Sequence, residues 1–143
     1  MNVNILSTYT PPQLILARSE AFSRGDFGFI FDSYHSESNF RRQFAARDEY
    51  LEFGTTSLGQ DYQITSCQIL QHQENNLEAQ VIFLLEMKVH GAVQRFAELV
   101  WLRRERDAWL YHRGQKIANE ELPENPRSLC IADFARLDPS TIF

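Results

Sequence analysis

The spacing of apolar positions changes once along the chain, near residue 60. Before that point apolar residues recur with the period of a helix. Leu14, Ile15, Ala17, Ala21 and Phe22 share one stripe of a helix that Thr10 can cap, Pro11 can open and Gly25 stops. Asp26 can cap a second helix, Phe27 to about Tyr34, with Phe27, Ile30, Phe31 and Tyr34 as its apolar stripe. A third is expected to begin near Ser38 or Asn39, carry Phe40, Phe44, Tyr50, Leu51 and Phe53, and end before Gly54. Seven of the eleven phenylalanines lie between residues 22 and 53, so these helices need a large apolar surface to pack on.

After residue 60 the period is two. Asp61 to His72 reads as a strand in which Tyr62, Ile64, Ile69 and Leu70 change phase, as at a β-bulge. From Leu77 to Val89 the alternation is clean, with Leu77, Ala79, Val81, Phe83, Leu85, Met87 and Val89 on one face. Gly91-Ala92 reads as a hairpin turn, Val93 to Arg104 as a third strand, and Ala108 to Arg113 as a fourth after a turn at Arg106-Asp107. Beyond Gly114 the periodicity is lost. Pro123, Pro126 and Pro139 limit that region to short elements, with room for one short helix in residues 127–137.

Counting outward from a two-residue turn at Gly91-Ala92 pairs Val89 with Gln94, Met87 with Phe96, Leu85 with Glu98, Phe83 with Val100 and Val81 with Leu102. This phase puts Glu98 on the apolar face, whereas a three-residue turn would turn Leu99 and Trp101 inward instead. A carboxylate on an apolar face requires a cation or gives up its charge, and Arg18, on the stripe of the first helix, is the expected cation. Such a pair either only orients the helix on the sheet, or marks a ligand-binding or proton-accepting site between the two layers. The candidate pocket residues are Arg18, Tyr34, Phe96, Glu98 and Tyr111, with Tyr111 opposite Leu102, where its hydroxyl can hydrogen-bond Glu98 or a ligand carbonyl. Catalytic candidates are Glu98 and the pair Asp32 and His35, three residues apart; capping for His35 and solvation for Asp32 are the structural alternatives. Trp109 falls opposite Arg104, where a cation–π contact is sufficient explanation. On the outer face Leu84 would pair with Leu99 and Ile82 with Trp101, an apolar island that needs a cover. A second copy of the chain or its own C-terminal segment can supply that cover, and a homodimer is the favoured expectation.

Composition narrows the classes. With 14 basic and 19 acidic residues the net charge is −5, and the only basic cluster, Arg103, Arg104 and Arg106, reads as a solvated hairpin tip, so nucleic acid is not an expected partner. At 43% hydrophobic and 13% aromatic over 143 residues, one folded domain is expected, residues 1–143. Cys67 and Cys130 stand far apart in no paired motif, which suits free thiols in a reducing cytoplasm. No signal peptide or membrane-length apolar run is visible, and no membrane partner is expected. His72, His90 and His112 lack the spacing of a metal triad, and phosphate loops and nucleophile elbows are absent, so neither metal nor cofactor is expected.

Three stretches carry a family resemblance: Arg18 to Asp26 (RSEAFSRGD), Asp32 to His35 (DSYH), and Glu98 to Gly114 with Leu102, Arg104, Glu105, Trp109 and Tyr111. Together, over roughly residues 12–114, they resemble the central domain of the YchJ-like family of bacterial proteins. The resemblance implies an α+β fold, a nuclear transport factor 2-like (cystatin-like) cone of three N-terminal helices on a curved antiparallel sheet of about four strands. It leaves residues 115–143 as an extension. Family members often carry cysteine-rich SEC-C zinc motifs beside this domain; these 143 residues contain none, so nothing those motifs supply is carried over. Ser36 stands where a proline commonly follows the family's histidine. Proteins of this fold include binding modules and cofactor-independent isomerases and dehydratases, so the expected function is a small-ligand-binding or dimerisation module. The ligand expected is apolar or carboxylate-bearing, and the alternative is an acid/base enzyme using a carboxylate in the cone, with Tyr111 polarising a carbonyl.

Overall fold

A computed structural model of the chain describes residues 3–137 and 141–143; Pro139 and the first two residues of the N-terminal segment lie outside them. A short helix α1, Val3–Leu6, precedes the elements anticipated from the sequence. Helix α2, Pro11–Arg24, is closed at its start by a capping box. The Thr10 hydroxyl accepts from the Gln13 N–H at 3.3 Å, and the Gln13 side chain accepts from the Thr10 N–H at 2.9 Å. It ends where Gly25 turns left-handed, at φ 73°. Helix α3, Phe27–Asp32, is capped by Asp26 and stops two residues short of Tyr34, which leaves the helix to bridge Tyr111.

The expected third helix is two helices, α4, Asn39–Gln43, capped by Ser38, and α5, Arg47–Phe53. Aromatic packing is the physical reason. Six residues along an unbroken helix would place Phe44 and Tyr50 about 120° apart around the axis, on different faces. The break at Phe44 instead brings their rings to 5.2 Å and Phe40 to 4.8 Å from Tyr50. The helical path also continues past Gly54, through a π-helical turn, Gly54–Leu58, and helix α6, Gly59–Asp61. Gly54 lies against the Phe27 ring, where a Cβ would collide with it.

Four antiparallel strands follow in the order β1-β2-β3-β4: β1, Tyr62–Glu74; β2, Glu78–Val89; β3, Ala92–Glu105; β4, Ala108–Ala118. β1 carries two register shifts against β2, which account for its change of phase. Leu77 is exposed in the β1–β2 turn rather than on the inner face, and Asn75 accepts from the Leu77 and Glu78 N–H groups. The β2–β3 turn is His90-Gly91, one position earlier than the sequence suggests, because such a turn needs positive φ at both central residues. Glycine takes the second place, with φ 52° at His90 and 82° at Gly91.

The pairing is therefore Leu85 with Phe96, Phe83 with Glu98 and Val81 with Val100. Outside, Leu84 faces Ala97, Ile82 faces Leu99 and Gln80 faces Trp101. Each expected partner is displaced by two, an even number, so every side chain keeps its predicted face. β4 runs past the expected Arg113 to Ala118; its slip against β3 at Trp101/Leu102 resets the phase, which disguised the strand's second half.

Two apolar layers flank the sheet. The inner one joins α2, α3 and α5 to Val81, Phe83, Val100 and Leu102. The outer one occupies the expected dimer face of Ile82, Leu84, Leu99 and Trp101. Its cover is the chain itself: Ile82 and Leu99, each 1% exposed, lie with Ala97 and Ile117 beneath Leu129 and Phe134, and Leu84 and Trp101 pack at the margin. Phe134 sits on a short helix α7, Ile131–Ala135, the one element formed in residues 127–137 besides a 3-10 turn, Pro126–Ser128. Farther on, Phe143 exchanges two 2.8 Å backbone hydrogen bonds with Gly114.

Candidate functional site

A cavity of about 310 Å³ lies between the helices and the inner face of the sheet. Its wall is mostly apolar and rich in aromatic rings, among them Phe22, Phe40, Phe44, Tyr50 and Phe53, and Arg18, Ser19, Tyr34, Cys67, Glu98 and Tyr111 line it with polar groups. The broken third helix builds much of this wall, since α4 and α5 fold Phe40, Phe44, Tyr50 and Phe53 toward one another.

Arg18 enters from α2. Its Nη1 donates to the hydroxyl of buried Ser33 and to the Ile30 carbonyl, while the guanidinium carbon lies 4.5 Å from the Tyr34 ring centroid and 4.7 Å from that of Tyr111. Backbone hydrogen bonds fix these rings in place. The His35 N–H donates to the Tyr111 carbonyl and the Tyr111 N–H to the Ser33 carbonyl, each at 2.8 Å, tying the end of α3 to β4.

Glu98 enters from β3, 7% exposed, and the Tyr111 hydroxyl donates to its Oε2 at 3.0 Å. Oε1 has no hydrogen-bond partner among the described residues. The expected ion pair with Arg18 does not form: the guanidinium is held by Ser33 and two tyrosine rings and acts on Glu98 only through space. Burial raises the Glu98 pKa; Lys116, the Tyr111 hydrogen bond and Arg18 pull against it without reversing it. Burial, then the neighbouring Glu98, also pushes the Tyr111 phenol well above its ordinary value. The pair is thus a carboxyl and a phenol that both resist ionisation. Gly114 makes their contact possible, because a Cβ there would collide with the Tyr111 hydroxyl. The Cys67 thiol is pushed up to about 11, chiefly by burial, and is a poor nucleophile at neutral pH.

The other sequence candidates lie elsewhere. Asp32 receives Arg47 Nε and Nη2 at 3.1 and 3.2 Å and borders a separate recess with Ser36 and Glu105. His35 is buried, and its Nδ1 accepts from the Glu37 N–H at 3.0 Å, so a neutral ring carries its proton on Nε2, 4.0 Å from Glu105. Neither lines the cavity, and the proposed acid/base couple is not assembled there. Phe96 is also outside, with Lys116 Nζ 4.7 Å above its ring. Trp109 does face Arg104 and stacks at 4.4 Å, and Tyr111 does pair with Leu102. Sequence reasoning missed Ser33, Tyr50 and Cys67. Tyr50 and Cys67 read as ordinary core residues, and only Gly114, a glycine just where the period fails, signalled a close approach. Among the described residues no group of three or more His, Cys, Asp or Glu is arranged to hold a metal ion, and no helix is long and apolar enough to cross a membrane.

Helices on one face of a four-stranded antiparallel sheet, with a cavity between the layers, make an α+β fold of the NTF2-like class. Within that class the chain belongs to the family described as YchJ, middle NTF2-like domain, whose model matches residues 10–114, well over half of its length. Its fold is similar to that of RPA3114, a SEC-C motif containing protein from Rhodopseudomonas palustris solved in solution: 19% identity, TM-score 0.60, covering 76% of this chain and 79% of that one. An NTF-2 like protein of unknown function from Shewanella oneidensis MR-1 is also similar, at 16% identity and TM-score 0.45, over 73% of this chain and 93% of that one. No curated protein matches.

Proposed function

We propose that this NTF2-like domain is a small-ligand-binding module whose site is the cavity between the helices and the inner sheet face. The observation that carries the reading is the 310 Å³ space itself, walled by aromatic rings yet containing a buried carboxyl with one oxygen unpartnered. Cores are close-packed, and a space at the small end of the roughly 300–1,000 Å³ typical of ligand sites, with a few polar groups in an apolar wall, is the signature of recognition rather than of stability. Dimerisation through the outer sheet loses its support, since residues 129–134 already cover that face. The free cysteines support a reducing, cytoplasmic setting.

One observation favours a second reading, a cofactor-independent acid/base enzyme: Glu98 combines a raised pKa with a neighbouring phenol inside the cavity. Calorimetric titration with four compounds of similar size, ethylbenzene, acetophenone, benzylamine and benzoate, tests the binding reading. At least one is expected to bind at millimolar affinity or better and to be displaced when Cys67→Trp fills the cavity, with circular dichroism confirming the fold. Failure of all four to bind the wild-type protein would overturn it.

A further inference from the structure

We infer that the ligand carries a carboxylate, received by the free edge of the Arg18 guanidinium beside Glu98, with its apolar body among the aromatic rings of α4 and α5. The inference rests on the cavity being a ligand site, and it concerns the head group.

Arg18 is held by several groups at once. Nη1 is anchored on Ser33 and Ile30, and the Tyr34 and Tyr111 rings, their centroids 4.9 Å apart, lie together 4.5 and 4.7 Å from the guanidinium carbon. No carboxylate among the described residues pairs with it, and Nε and Nη2 have no hydrogen-bond partner among them. These two nitrogens form the edge that grips a carboxylate through two parallel hydrogen bonds, and a guanidinium already fixed in orientation loses little freedom on binding.

The surrounding groups agree with an anion. Glu98 is buried, receives one neutral hydrogen bond and has no ion-pair partner, so burial favours its neutral acid form, against the pull of Lys116 beside it on β4. With Tyr111 donating to Oε2, the neutral form carries its proton on Oε1, the oxygen left without a partner. Tyr34 and Tyr50 line the same cavity, and their hydroxyls have no hydrogen-bond partner among the described residues. The lining therefore offers donors and one positive charge. A cationic ligand would meet Arg18 at short range, and a purely apolar ligand would leave the guanidinium edge and the acid proton unsatisfied. Tyr111 couples the two recognition groups, its ring against Arg18 and its hydroxyl on Glu98.

The same four compounds decide the point. Benzoate is expected to bind the wild-type chain at least tenfold more tightly than ethylbenzene, acetophenone or benzylamine. Arg18→Lys keeps the charge but loses the two-pronged edge and should reduce the benzoate preference about tenfold. Glu98→Gln retains a donor and should keep the preference; Glu98→Leu should diminish it. Binding of ethylbenzene or acetophenone as tightly as benzoate, or a preference for benzylamine, would overturn the inference while leaving the cavity a ligand site. Failure of all four defeats the cavity reading itself. The wild-type ranking is decisive even where a variant does not fold.

Discussion

At the scale of single residues, Glu98 governs how the inner layer responds to pH. Its folded-state pKa lies above the ordinary carboxyl value of 4.5, with burial as the main cause. The sign follows from linkage. Below that ordinary value the folded and unfolded states both hold the proton, and there is no penalty. As pH rises through the raised pKa the folded protein must accommodate a buried charge, so the contribution of Glu98 to stability falls and stays low above it. An ion pair with Arg18 would have behaved oppositely, and removing its acid would have cost roughly 3–5 kcal/mol. Because the acid is neutral at acidic pH and hydrogen-bonded, Glu98→Gln is expected to cost no more than about 1 kcal/mol there. It should then gain on the wild type as pH is raised, in urea unfolding followed from pH 5 to 9. A variant that instead loses ground with rising pH would show that a cation compensates Glu98. That this residue faces inward was legible from strand phase, and the Tyr111 hydroxyl was among its candidate partners; that the phenol takes the place of Arg18 was not legible, because it depends on the open space at Gly114 and on a bulge that no period reveals.

At the scale of elements, caps and turns show where local sequence decides structure. Thr10, Pro11 and Gly25 bound α2 as their chemistry requires, since a hydroxyl cap, a ring with fixed φ and a left-handed glycine act on the backbone within one turn. The β2–β3 and β3–β4 hairpins differ in how well they meet the same demand. Gly91 adopts positive φ freely, whereas the β3–β4 turn places Arg106 at φ 53° and Asp107 at 65°, where side chains are strained. Asp107→Gly is therefore expected to stabilise the domain by roughly 0.5–1 kcal/mol, read as a raised urea midpoint at unchanged slope. A lower midpoint would mean that the aspartate contributes more than its backbone strain costs. The third helix shows the opposite balance. Its helical spacing is continuous through Phe44, yet rings on α4 and α5 meet only if the helix breaks, and tertiary packing prevails over propensity.

At the scale of the whole molecule, the segment after β4 converts an open sheet into a filled three-layer structure. Phe134, 1% exposed, is its main anchor on Ile82 and Leu99. Phe134→Ala should cost about 3–5 kcal/mol and expose the outer sheet face, so that the variant self-associates at concentrations where the wild type does not. Equilibrium unfolding and sedimentation velocity check the two effects, and a loss below about 1 kcal/mol would show that the segment only rests on the sheet. Alternation and capping signals, being local, determined the helices, four strands and the two faces of the sheet; an even displacement of register cannot move a side chain to the other face, so Glu98 stayed inward despite a misplaced turn. Three things only the tertiary structure decided: which layer covers Ile82 and Leu99, which groups surround Arg18, and that space remains between the layers. Each depends on contacts between segments far apart in the chain, whose distances no periodicity encodes.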